Sequence, residues 1–194
     1  MKVAFARTTA LCITLVAATP AVGGDNARPA QKGSISSTTH INRTTDKPFD
    51  VVTAAVEKQL GNYDAAAVAA AMKENLGPSN IEAKIHAMEG TSGFMLFAVR
   101  DHGQLLSLKG KTTLARQYEI GNPLIALQMT QEDVRAGEYA PLRVYIYEGA
   151  DHRTHIDYDL PSSVFGRFRS AGVDEVARDL DKKLDALFGN ALRD

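Results

Sequence analysis

The sequence predicts an α+β fold, a mostly antiparallel β-sheet packed by helices on one face. Three observations predict it. "PLRVYIYEG" alternates, with Leu142, Val144 and Ile146 on one side and Arg143, Tyr145 and Tyr147 on the other, as in a strand covered on one face. "DEVARDLDKKLDALFG" instead repeats its apolar residues at helical spacing, so that Val176, Leu180, Leu184 and Leu187 form one stripe. "THIDYDL" follows the first of these strands across the polar stretch "EGADHR", which is the arrangement of a hairpin.

The other elements follow in chain order. "SISSTTHINRTT", residues 34–45, is rich in β-branched residues and reads as a strand at a sheet edge. "DKPFDVVTAAVEKQLG" reads as a helix with Phe49, Val52, Val56 and Leu60 inward, Pro48 in its first turn and Gly61 as its stop. "DAAAVAAAMKENLGP" reads as a second helix, capped by Asp64, with Val68, Met72 and Leu76 on one face. "SNIEAKIHAMEG" alternates like a strand, but Ser79 and Glu82 have capping-box spacing, and the helix is the preferred reading. "GFMLFAVRD" (93–101) and "KTTLARQYEI" (111–120) are strands, with "LLSLKG" as a short element between them. "NPLIALQMTQ" opens a helix with Asn122 as cap and Pro123 at the first position, and "EDVRAGE" reads as a solvated loop. Asp174 and Glu175 suit the positive end of the last helix dipole.

Composition bounds the function classes. The 22 basic residues nearly balance the 23 acidic ones, with no long run of like charge, so no nucleic-acid or anionic-membrane footprint is expected. The N-terminus carries Lys2 and Arg7, then the uncharged apolar run "TTALCITLVAATPA", then small residues at "TPAVGG". That is the order of a secretory signal peptide over 1–24, with cleavage after Ala21 or Gly24, and too short a run for a comfortable membrane span. Residues 25–33 read as a disordered lead-in and 34–190 as the domain, in a periplasmic or secreted protein with no stable membrane anchor after cleavage. Cys12 is the only cysteine and lies in the leader, where Leu11 in place of a small residue argues against lipidation. The mature chain then has no thiol for disulfides, thiolate metal sites, cysteine nucleophiles or c-type haem.

The ordered set "FMLFAVRDHG", "TTLARQYEIGNPLIALQM", "AGEYAPLRVYIYE" and "IDYDLPSS" resembles the DUF302 family, a domain of unknown function. Its landmarks here are Asp101-His102, Gly121-Asn122-Pro123 and the strand from Pro141 to Glu148. The likeness runs over about residues 34–190, and 61–92 departs from it like an insertion. The resemblance implies a compact α+β domain, often paired into a dimer, and implies no catalytic residue and no cofactor.

Candidate ligand-binding residues are His102, Asn122 and Arg143. A histidine at a strand end can act as a base or ligand, although such residues more often bridge elements. Asn122 sits where a helix N-terminus offers free N–H groups, yet capping by Asn with Pro after it explains the Gly-Asn-Pro triplet without a ligand. Arg143, Tyr145 and Tyr147 share a strand face that suits a cleft, an interface or a covered sheet. His152 and His155, three apart on an extended chain, point to opposite faces, so no metal site is assigned. No nucleophile elbow surrounds Ser162-Ser163. The catalytic residues are left unassigned. Two readings follow: an exported binding or interaction module that forms a homodimer and takes a small-molecule or protein ligand, or a small enzyme or ligand sensor with its site near His102 and the Gly121-Asn122-Pro123 turn.

Overall fold

The computed structural model describes residues 36–193, so the expected leader and lead-in lie outside the described residues. The elements are β1 (His40–Thr45), α1 (Phe49–Glu57), β2 (Gly61–Asn62), α2 (Ala65–Lys73), α3 (Pro78–His86), β3 (Met95–Asp101), α4 (His102–Ser107), β4 (Ala115–Gly121), α5 (Pro123–Thr130), β5 (Leu142–Glu148), β6 (Thr154–Asp159), α6 (Pro161–Phe165) and α7 (Ala171–Leu192). Two short 3₁₀ turns, Val134–Tyr139 and Gly166–Phe168, complete the order. Six strands form one sheet in the order β1-β6-β5-β4-β3-β2, antiparallel throughout except for β2 beside β3. The fold class is therefore the expected one, and β1 is an edge strand.

The core lies between one face of the sheet and α1, α5 and α7. Its strand residues are Tyr118 and Ile120 of β4, Val144 and Ile146 of β5, and Ile156 and Tyr158 of β6. From α7, Val173, Ala177, Leu180, Leu184, Leu187, Phe188 and Ala191 are buried, a helical stripe wider than the sequence stripe, in which Val176 is only partly covered. Phe49, Val52 and Val56 of α1 face the same core. On this buried face Tyr118 donates a 2.7 Å hydrogen bond to Glu57 Oε1, which satisfies the one hydroxyl that β4 brings inside.

The segment 61–92 is a helical excursion beside the β2–β3 edge. It leaves at Gly61 and returns at Gly90, and the two backbones touch there: a Cβ on Gly61 would sit 1.8 Å from the Met88 carbonyl oxygen. Gly61 is thus not the stop of α1, which ends at Glu57, but a residue without a side chain where two chains cross. Asp64 caps α2 as expected, by accepting from Ala67 N at 2.9 Å. The inward residues of α2 are Val68 and Ala71, while Met72 and Leu76 face solvent, a shift of the stripe by one position. α3 confirms the helical reading of its segment, but begins after Gly77 with Pro78 in its first turn, and Ser79 makes no cap bond. A bulge between Leu96 and Ala98 turns Phe97 aside, so that Met95 and Phe97 join Val68, Ile85, Tyr63 and Leu124 in a second, smaller core.

Three further expectations change. The first half of "LLSLKG" closes α4, whose cap is Asp101, and His102 is the first residue of that helix rather than part of a strand end. The strand expected from 111 begins at Ala115. "EDVRAGE" holds a 3₁₀ turn that Asp133 caps by accepting from Arg135 N, not an irregular loop.

Candidate functional site

β5 carries its two faces as the alternation predicts. On the side away from the helices, the strand register sorts the outward residues into three cross-strand rows. The first runs Ala98–Glu119–Arg143, with Asp159 and His40 continuing it across β6 and β1. The second runs Arg100–Gln117–Tyr145–Asp157–Asn42, and the third Ala115–Tyr147–His155–Thr44. Most of these side chains are half-buried or exposed, so this face is a polar and aromatic surface rather than a second core.

Four rings cross this open face in sequence. His102 meets Tyr145 edge-on at 5.7 Å, Tyr145 lies 5.5 Å from Tyr147, and Tyr147 stacks on His155 at 5.0 Å and 14°. His155 is held by the fold: Nε2 meets Asp151 Oδ1 at 3.0 Å and Nδ1 meets Thr44 Oγ1 at 3.2 Å. The hydrogen bond from His155 lowers the Asp151 carboxyl below the usual carboxylate range. Asp157 receives the Asn42 amide and, at 3.4 Å, the Tyr147 hydroxyl. Burial pushes the Tyr147 phenol up, and the Asp157 charge adds to this; burial alone pushes up Tyr145. His40 bridges Asp159 at 3.1 Å and Asp157 at 3.4 Å, and the Asp159 bond raises its imidazole above the ordinary value.

The three candidate residues occupy three different settings. His102 caps one end of the ring row, and its buried Nε2 has no hydrogen-bond partner among the described residues. Asn122, 7% exposed, is committed to the fold: Oδ1 accepts from Leu124 N at 2.9 Å, while Nδ2 donates to Glu89 Oε1 at 2.7 Å and to the Gly93 carbonyl at 3.0 Å. It caps α5 as the Asn-Pro pair predicts, and it also ties α5 to the α3–β3 connection, which no local pattern announces. Arg143 stands exposed on the open face next to Glu119, whose carboxylate is taken by Arg100, and makes no ion pair among the described residues. His102 follows β3 beside the Ala115 end of β4, and Asn122 follows the Gly121 end, six residues away along the strand, or about 20 Å at ordinary strand rise. No cavity found among the described residues is lined by both. Only His102 and Arg143 share a surface, with Tyr145 in contact with the former and two residues along β5 from the latter.

Sequence reasoning missed the His40, Asn42, Asp157 and Asp159 cluster. The alternation in "HINRTT" and "THIDYD" puts these residues on one face of each strand, but only the β1–β6 pairing sets the two strands side by side. It also missed the apolar cleft at the opposite end of β4, where Gly121 and Pro123 meet Phe97, Met129 and Phe165. The residues lining that cleft come from six elements and from the connections between them, so no window of sequence contains them.

Comparisons with known proteins come down on one family. The model for "Domain of unknown function DUF302" matches residues 71–191, more than half of the chain. The match begins inside α2, so most of the excursion read as an insertion lies within it. The fold is similar to the crystal structure of an uncharacterized conserved DUF302 protein from Bacillus stearothermophilus, with TM-score 0.56, 18% identity, and coverage of 79% of this chain and 98% of that one. No curated protein matches the chain. With the matched region spanning α3 through nearly all of α7, the chain belongs to the DUF302 family.

Proposed function

We infer that the protein is an interaction module acting in the periplasm or outside the cell, and that its open sheet face binds a second copy of the same chain. The observation that carries this reading is the composition of the face. Tyr145 and Tyr147 stand half-buried at its centre, and the exposed Arg143 beside them has no ion-pair partner among the described residues. Tyr and Arg are the residue types that dominate interface energetics, because they bring large contact area together with directional polar groups.

Self-association is favoured because the face carries both signs. Arg100 and Arg143 lie towards β3 and β5, whereas Asp157 and Asp159 lie on β6. A two-fold axis over β5 would set the basic half of one copy against the acidic half of the other, the self-complementarity that an isologous interface requires. The leader pattern of the first 24 residues supports export.

The test uses the chain as it accumulates in cells. Native mass spectrometry at micromolar concentration should show a dimer, whose subunit mass lacks the residues up to Ala21 or Gly24. A Tyr145→Ala, Arg143→Ala double variant should be monomeric with an unchanged far-ultraviolet circular dichroism spectrum. A monomeric parent protein, or a double variant that dimerises as well as the parent, would overturn the self-association reading. A full-length mass in the soluble fraction would overturn export.

A further inference from the structure

We propose that the cleft beside the Gly121-Asn122-Pro123 turn is a binding site for a small, uncharged, largely apolar molecule the size of a monocyclic aromatic. The cleft has a volume of about 210 Å³. Its walls are Phe97, Ile125, Met129, Leu142, Phe165 and Leu180, and no charged side chain lines it. An apolar cavity of roughly 150 Å³ is already enough to hold benzene, so this one takes a substituted ring. An extended peptide would need a line of such pockets rather than one.

Gly121 supplies the second and independent observation. A glycine inside a strand is unfavourable unless the backbone conformation, a close chain or a ligand requires it. Gly121 ends β4, paired with Met95, and its φ is not in the left-handed region. A Cβ built on it would meet Phe97 Cε2 at 3.5 Å and Pro141 Cβ at 3.7 Å, which are ordinary contacts. Neither strain nor crowding therefore calls for glycine, in contrast to Gly61 and Gly90, where a Cβ has no room. Both neighbours of that Cβ line the cleft, so what the missing side chain provides is the cleft's own space.

The surroundings are preorganised for a guest. Pro123 and Pro141 limit the backbone of the lining, Ala126 and Ala140 add little bulk to it, and Asn122 is locked by its three hydrogen bonds. Met129, 2% exposed, adds a polarizable side chain that adapts to a ring. Such a site holds its ligand by shape and apolar contact, and discriminates against ions, because nothing in its wall would compensate a buried charge.

The probe is toluene, titrated into the protein in the form in which it accumulates, with the methionine methyl groups followed by carbon-13 NMR. The Met129 methyl should shift saturably with a dissociation constant below about 1 mM, while that of the exposed Met72 should not move. Gly121→Val, which fills the cleft from β4, and Ala126→Val, which fills it from α5, should each weaken binding at least about tenfold. Absence of a saturable Met129 shift in the parent protein overturns the proposal. So does an unaltered titration in a folded variant of either kind. If Gly121→Val fails to fold, the Ala126→Val titration decides. Because the cleft and the open sheet face share no residue used in either argument, toluene binding and dimerisation stand or fall separately.

Discussion

Within β5, neighbouring residues live in opposite environments. Val144 and Ile146 are 1% and 0% exposed on the face that the helices cover, whereas Arg143, the neighbour of Val144 that points to the other face, is open. Backbone, length and pairing partners are the same for both sets, so the difference comes from the helix layer alone. The covered face is largely apolar and its hydroxyls are bonded, Tyr118 to Glu57 and Thr154 to the Lys47 carbonyl; the uncovered face is built of rings and charges that bond to one another within and between the rows. Inward residues of one strand thus answer to stability, and outward ones to whatever the surface meets.

The largest expected effect tests that division directly. Ile146→Ala should cost about 3 kcal/mol of stability, the loss typical of a buried aliphatic side chain that leaves a cavity. Tyr145→Ala on the other face should cost under about 1 kcal/mol, measured by urea unfolding at a protein concentration too low for association. Equal losses would mean that the outer face is a second core and not a surface. Next comes Asn122→Ala, which should cost about 2 kcal/mol, since it strips the α5 cap, removes one of the donors to Glu89 and takes the amide from the Gly93 carbonyl. Arg143→Ala should leave the unfolding stability within about 0.5 kcal/mol of the parent, as expected for an exposed residue with no ion pair among the described residues.

A smaller contrast separates two tyrosine hydroxyls. Tyr118→Phe removes a 2.7 Å bond to a carboxylate on the covered face and should cost about 1.5 kcal/mol in the same unfolding assay. Tyr147→Phe removes only a 3.4 Å contact with Asp157 on the open face and should fall below about 0.5 kcal/mol. A larger loss for Tyr147→Phe would place the strong polar network on the open face.

The smallest effect is the pH response of the β1–β6 edge. The Asp159 bond raises the His40 imidazole above its ordinary value of 6.5. The stabilisation from that pair is fully present below the unfolded-state pKa and is lost as pH rises through the higher folded-state pKa. The His40 ring is 57% exposed, so solvent screens the pair, and the parent protein should lose under about 2 °C of melting temperature relative to His40→Asn between pH 6 and 8. Thermal unfolding at the two pH values checks the sign.

Much of this architecture is legible in the sequence. The alternation of β5 correctly named both of its faces, and the Asn122-Pro123 pair named the start of α5, because a cap and a first-turn proline act within a few residues. On α2 the stripe holds at Val68 but not at Met72 and Leu76, because an alanine-rich helix offers no strong apolar contrast and tertiary contact buries Ala71 beside Val68. Gly61 was read as a stop signal because glycine commonly plays that part. Its actual reason, the approach of Gly90, lies 29 residues away in sequence. His102 was placed at a strand end because the six-residue α4 is too short to show a helical period.

The order of most elements, the two faces of β5, the α+β class and the family are all written in the sequence, since periodicity and capping are local properties of the chain. Only the tertiary structure decided which strands lie together. The pairing of β1 with β6 built the His40, Asp157 and Asp159 cluster, and the length of β4 held His102 and Asn122 apart. The packing of α5 against the end of β4 opened a cleft around Gly121. Strand order and helix placement arise from contacts between distant residues, whose register depends on the whole core closing at once and leaves no periodic trace in any single segment.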